Sequence, residues 1–425
     1  MVLVPNTVIR CKTVAGVGAA HVWKVWVAGW PASSGVVHSS YLPPRITGVF
    51  TAGAEGVTDA AAHVLSTNGS SLVVVTCVDC GPSSVPVNGL TYGRTAREHT
   101  APSCAWLVSQ SKLMCTTAPG VGTGLRWQLT AGQQVSTEFN ASLVHYAPPV
   151  LNAAATMRPM LTAGGEAAVI VLNGTQLGPG GLTELQVYYG ANLSNPAYPV
   201  YQATDCVVLS AAPHSCITCT SAAGIGALLS VYTVVGSQAS NTLYNALSYR
   251  PPVITGIDGL GADNADTQGG QEVFLYGSQF GPLTPTDATG QPLGVTSPLV
   301  VYGPTEPAPG LRYDGVRCRV TVAHLQIACF TAPGTGRGHG WRVTLGGQQS
   351  AVFTNRTTSY HPPIVSAYSG NGSLHADTAG GQMVVIDGTS TWCLRARVRA
   401  RYRAHAYMAH PTLVHPVRVT HVPLA

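Results

Sequence analysis

Cysteine is the residue type in this chain best placed to do covalent chemistry, and the spacing of its eleven copies repeats. Cys104 and Cys115 are eleven residues apart, as are Cys318 and Cys329, and Cys206 and Cys219 are thirteen apart. Each pair flanks one short strand connection, which suits a local staple on adjacent strands, because a disulfide needs Cα atoms about 4.4–6.8 Å apart. Such bonds persist outside the cytosol. The pairs are therefore expected as disulfides of an extracellular protein, with Cys11 and Cys393 left single. Buried free thiols in a reducing compartment are the competing reading, since free cysteine is a common core residue.

Cys77-x-x-Cys80 and Cys216-x-x-Cys219 have the look of zinc knuckles, but 135 residues separate them. A zinc ribbon spaces its knuckles by about 15–20 residues. Neither motif opens a helix in a βαβ setting, so a thioredoxin-like redox role fails too. For Cys77 and Cys80 that leaves an extra local disulfide or two buried thiols.

Other residues carry weaker chemistry. Six of the thirteen asparagines lie in Asn-x-Ser/Thr, at Asn68, Asn140, Asn173, Asn192, Asn355 and Asn371. Chance would give about two, so they read as N-glycosylation acceptors of an exported chain. Trp23-x-x-Trp26 has the form of a C-mannosylation site, against the plainer reading of two tryptophans packed on an alternating strand. Asp258, Asp263 and Asp266 share the segment GIDGLGADNADTQGG. Their carboxylates could bind calcium, but they lack an ordered ligand spacing, and a hydrated loop is the alternative. The chain has no Gly-x-Ser-x-Gly elbow, His-Glu-x-x-His pair or Gly-x4-Gly-Lys-Ser/Thr loop, and hence no motif for a nucleophile, a catalytic zinc or a phosphate cradle. No cofactor is expected.

The elements that must position these residues form a repeat of about one hundred residues. Its marks are proline pairs at 43–44, 148–149, 251–252 and 362–363, each two residues after a tyrosine: Tyr41, Tyr146, Tyr249 and Tyr360. A glycine pair precedes a strand-like run at 164–165, 269–270 and 380–381, with Ala61-Ala62 expected in its place in the first copy. Gly-x-x-x-Gly-Pro then ends a strand, and Tyr-Gly ends the next. The sharpest mark is Cys-x4-Gly-x-Gly, starting at Cys11, Cys115, Cys219 and Cys329. Twelve residues beyond it stand Trp23, Trp127, Val231 and Trp341, followed by Gly-x-x-x-Ser. Period-two alternation in VVVTC, AVIVL, EVFLY and GWRVTL, with Gly and Pro between the runs, predicts small β-sandwiches rather than helices. The low charged fraction of 9% excludes long solvated helices, and no apolar stretch approaches the ~18 residues of a membrane span.

In the order of these marks the chain resembles the IPT/TIG domain, an immunoglobulin-like fold found in plexin ectodomains, fibrocystin-like surface proteins and some transcription factors. The resemblance covers nearly all of 1–390. It implies an all-β array: the C-terminal part of one repeat at 1–42, full repeats at 43–147, 148–250 and 251–361, the start of another at 362–390, and a basic tail at 391–425. It also implies a non-enzymatic extracellular or cell-surface protein that adheres, spaces or binds a protein or glycan ligand of the surface or matrix. Any membrane anchor would belong to flanking sequence, and no signal peptide opens the chain. An accessory module of a carbohydrate-active enzyme is the alternative, and a DNA-binding module the third. Charge disfavours the last: the tail holds six of the 22 basic residues and no acid, while 1–390 carries 16 basic against 17 acidic residues. A neutral body offers a nucleic acid little counterion release.

Overall fold

The computed structural model describes residues 2–4, 7–156, 160–195, 198–283, 297–305, 313–374, 376–390, 408–410 and 413–415. Apart from a 3₁₀ turn at Ala60–His63, its regular elements are β-strands. The chain is an immunoglobulin-like repeat protein, with each full repeat a two-sheet sandwich.

In the first repeat, alternation puts Trp127, Leu129 and Ala131 of Arg126–Ala131 inside and the residues between them outward. One sheet orders Ser103–Val108, Lys112–Thr116, Leu72–Val78 and Arg45–Thr51; the other orders Gln134–Val135, Arg126–Ala131, Gly89–Gly93 and His99–Thr100. All these ladders are antiparallel. The second and third repeats reproduce both strand orders, and each ladder joins strands of one repeat. By contact the chain divides into one unit of Met1–Met160, Gly164–Ala222 and Leu228–Ser248, and another of Leu161–Ala163, Ala223–Ala227 and Tyr249–Ala425.

The sandwich cores are built on the signature aromatics. Tyr92 and Trp127 stack with centroids 4.3 Å apart, and Tyr302 and Trp341 at 4.2 Å; all four are buried. The second repeat has Tyr189 with Val231 instead, both also buried. Burying a phenol requires a partner for its hydroxyl. The Tyr92 hydroxyl accepts from Ala118 N at 2.7 Å and lies 3.0 Å from the Tyr146 hydroxyl, which donates to Ala118 O. Burial pushes Tyr92 and Tyr146 above the ordinary phenol range.

One expected equivalence is corrected. In the first repeat Gly69 and Ser70, not Ala61-Ala62, occupy the place of the glycine pair, with φ of 77° and 62° against 68° and 88° at Gly164 and Gly165. A Cβ at Gly69 would meet Ala118 C at 2.7 Å, and one at Gly164 would meet Ala222 C at 2.6 Å. Ala61 and Ala62 belong to the extra 3₁₀ turn, capped by Asp59. His63, which ends that turn, is buried: its Nδ1 accepts from Thr51 N and its Nε2 donates to Val57 O.

Further hairpins lie outside the three sandwiches. His21–Val27 pairs with Trp30–Ser39, and every residue of His21–Val27 is exposed. Ile364–Ser369 pairs with Val385–Thr389, the first strand exposed throughout.

Candidate functional site

The cysteine pairs sit on adjacent strands of the first-described sheet type in each repeat. Cys104 faces Cys115 directly in the ladder, with Cα atoms 4.0 Å and sulfurs 2.02 Å apart. Cys206 with Cys219 and Cys318 with Cys329 have Cα atoms at 4.1 and 4.2 Å, and sulfurs at bonding distance. In these two ladders the register shifts beside the cysteine, where Asp205 and Arg317 take φ of 50° and 51°. A bulge of this kind re-aims a side chain along the strand. Cys77 and Cys80 are also bonded, and both are buried. Cys77 stands where the later repeats have Gly174 and Gly277, and Cys80 where they bury Leu177 and Phe280. The covalent link thus replaces a core side chain. Cys11 is free and exposed, and Cys216 is free and buried, its thiol pushed up by desolvation. Cys393 lies outside the described residues.

All six sequon asparagines are exposed. Asn140, Asn173 and Asn355 are on strands, Asn68 and Asn371 on turns, and Asn192 immediately precedes a turn. Trp23 and Trp26 are 42% and 66% exposed, so the packed-strand reading does not hold for them; the Trp23 indole donates to Ser39 Oγ.

The aspartate segment is held by a cation of the chain itself. Arg356 reaches Asp263 at 2.6 Å and Asp258 at 3.9 Å, and also donates to Ile257 O. Asp266 caps its own turn through Gln268 N. Asp258 and Asp263 therefore face a guanidinium. Among the described residues no group of three or more His, Cys, Asp or Glu is placed to hold a metal ion.

A cleft of about 810 Å³ in the second repeat is lined by Thr183, Leu185, Gln202, Thr204, Asp205 and Cys206, among others. Its carboxylate, Asp205, accepts from Thr204 Oγ1 at 3.0 Å. Among the described residues no helix is long and apolar enough to cross a membrane.

No family model and no curated protein matches the chain. Solved structures do. One in complex with a xylogluco-oligosaccharide is 13% identical, with a TM-score of 0.29, over 81% of this chain and 69% of the other. The plexin A4 extracellular region is 12% identical, with a TM-score of 0.21, over 90% of this chain and 30% of that one. The Escherichia coli adhesin FdeC is 10% identical, with a TM-score of 0.21, over 75% of this chain and 96% of that one. This chain thus spans less than a third of the plexin region that it matches. Likenesses this distant carry no argument about function.

Proposed function

We propose that this chain is a non-enzymatic extracellular or cell-surface array of immunoglobulin-like modules of the IPT/TIG type, presenting surfaces to a protein or glycan ligand. The observation that carries the reading is the recurrence of one staple: each complete repeat places a cysteine pair across the same two adjacent strands. A bond of that kind limits local unfolding and belongs to an oxidising compartment. The exposure of all six sequon asparagines supports the same location. Binding would use loops and exposed strand edges, which a rigid sandwich positions.

The test is secretion from a eukaryotic host followed by peptide-N-glycosidase treatment and binding to immobilised matrix proteins and neutral glycans. A mass loss on treatment, with saturable binding to one class, is the expected result. An unglycosylated chain that binds neither would overturn the reading.

A further inference from the structure

Three sequence marks have contacts beyond their own sandwich: the middle residue of the Gly-x-Gly turn, the glycine of the Gly-Pro end, and the glutamine two residues after the glycine of the Gly-x-x-x-Ser hairpin. In the first unit they meet each other across consecutive repeats. Val121, from the turn of the first full repeat, stands against Gly178 of the second, where a Cβ would come 2.8 Å from Val121 Cγ1. Gly122 lies on Gly236, whose Cβ would be 2.7 Å from Gly122 Cα. Gln238 Nε2 donates to the Tyr146 carbonyl at 2.9 Å, and Arg94 donates to Ser237 Oγ at 2.8 Å.

The set recurs. Val17 stands against Gly81, Gly18 against Gly132, and Gln134 Nε2 donates to Tyr41 O at 3.1 Å. A third set lies wholly within the second unit: Ile225 against Gly281, Gly226 against Gly346, and Gln348 Nε2 donating to Tyr249 O at 2.7 Å. The shape of the turn is fixed inside its own repeat beforehand. Tyr146 donates to Ala118 O, and its hydroxyl lies 2.7 Å from where a Cβ of Gly120 would be.

We infer that the Cys-x4-Gly-x-Gly signature is a docking plug whose partner is the notch of the following repeat, formed by its Gly-Pro glycine and its Gly-x-Gln hairpin. A side chain larger than hydrogen on the notch glycine would occupy the plug's place, and a plug without its Val or Ile would leave the notch empty. The marks recur together because each one needs the other in the neighbouring repeat.

A polar clamp accompanies the plug. Thr67 N and Oγ1 both donate to Gln176 Oε1, at 2.8 and 2.9 Å, and His214 Nδ1 is 3.0 Å from Thr67 Oγ1. A backbone N–H can only donate, so the Gln176 atom is the carbonyl oxygen. The one hydroxyl proton of Thr67 is then committed to it, and His214 must donate through a protonated Nδ1. In the second unit, Thr162 N donates to Gln279 Oε1 at 2.9 Å and Thr162 Oγ1 lies 3.0 Å from His324 Nδ1. Gln176, His214, Gln279 and His324 all take φ between 60° and 67°, which aims these side chains out of their own turns.

The experiment uses the full chain with dyes on exposed Ser84 and Ala191 through non-natural amino acids, read by single-molecule energy transfer. The parent is expected to give one narrow transfer distribution. Val121→Gly and the double variant Gln176→Ala/Gln238→Ala are expected to broaden it, with near-ultraviolet circular dichroism unchanged. The glutamine pair lies at the joint surface, so these variants retain the sandwich cores even if Val121→Gly does not. Nitrogen NMR of His214 should report the Nδ1–H form. A parent-like distribution in the double variant, or an Nε2–H-only imidazole, would overturn the inference. Failure to find an extracellular ligand would leave it untouched.

Discussion

Trp127 and Trp23 hold the same place in the repeat, twelve residues after Cys115 and Cys11, yet one is fully buried and the other 42% exposed. The difference is the opposing strand. Trp127 stacks on Tyr92 from Gly89–Gly93, whereas Trp23 belongs to a two-stranded hairpin. Trp127→Ala should cost about 3–5 kcal/mol in urea unfolding of the first unit, and Trp23→Ala under about 1 kcal/mol. Equal losses would contradict the burial assignment. Tyr92→Phe removes the acceptor for Ala118 N and should cost about 1–3 kcal/mol. Desolvation lowers the pKa values of His99 and His214, although Glu98 opposes the shift at His99. The unfolded chain therefore binds more protons just below the ordinary histidine value of about 6.5. Stability should fall as pH drops through that value and level off below the depressed folded pKa values. A double replacement by glutamine should flatten the profile just below about pH 6.5, apart from the share of His324, whose pKa desolvation also lowers; an unchanged slope would remove His99 and His214 as its source.

Much was legible at the scale of elements, because period-two alternation and glycine punctuation follow directly from strand geometry. Val73 and Val75, Trp127 and Leu129, and Val273 and Leu275 are buried at the alternating positions the sequence marked. In the first repeat an insertion containing Ala60–His63 shifts the place of the glycine pair along the chain, and Ser70 takes a conformation usually left to glycine. The clamp of Arg356 on Asp258 and Asp263 joins segments more than ninety residues apart, which residue spacing does not encode. The Cys-x4-Gly-x-Gly turn is visible in the sequence, but its partner is not, since the partner lies between 56 and 120 residues further on. Converting Cys104 and Cys115 together to alanine should lower stability by about 2–4 kcal/mol, as expected for a short closed loop. A calorimetric midpoint equal to that of the parent would mean that the staple does not constrain the unfolded chain.

The whole molecule is repetitive: three sandwiches share one strand order, one cysteine placement and buried tyrosines at the same two places. The charge lies apart from them. The six arginines of 391–425 outnumber any local acid, and the residues before them are close to neutral. Any DNA binding at low salt should disappear with deletion of 391–425, while sequence-specific binding kept by 1–390 near physiological salt would favour the transcription-factor branch of the fold. Non-reduced peptide mapping of the chain secreted from a eukaryotic host tests whether the array is oxidised and extracellular. Linked peptides are expected for Cys104 with Cys115, Cys206 with Cys219 and Cys318 with Cys329, with Cys11 unlinked to any of them. Free thiols at all six positions would contradict both the pairing and the location.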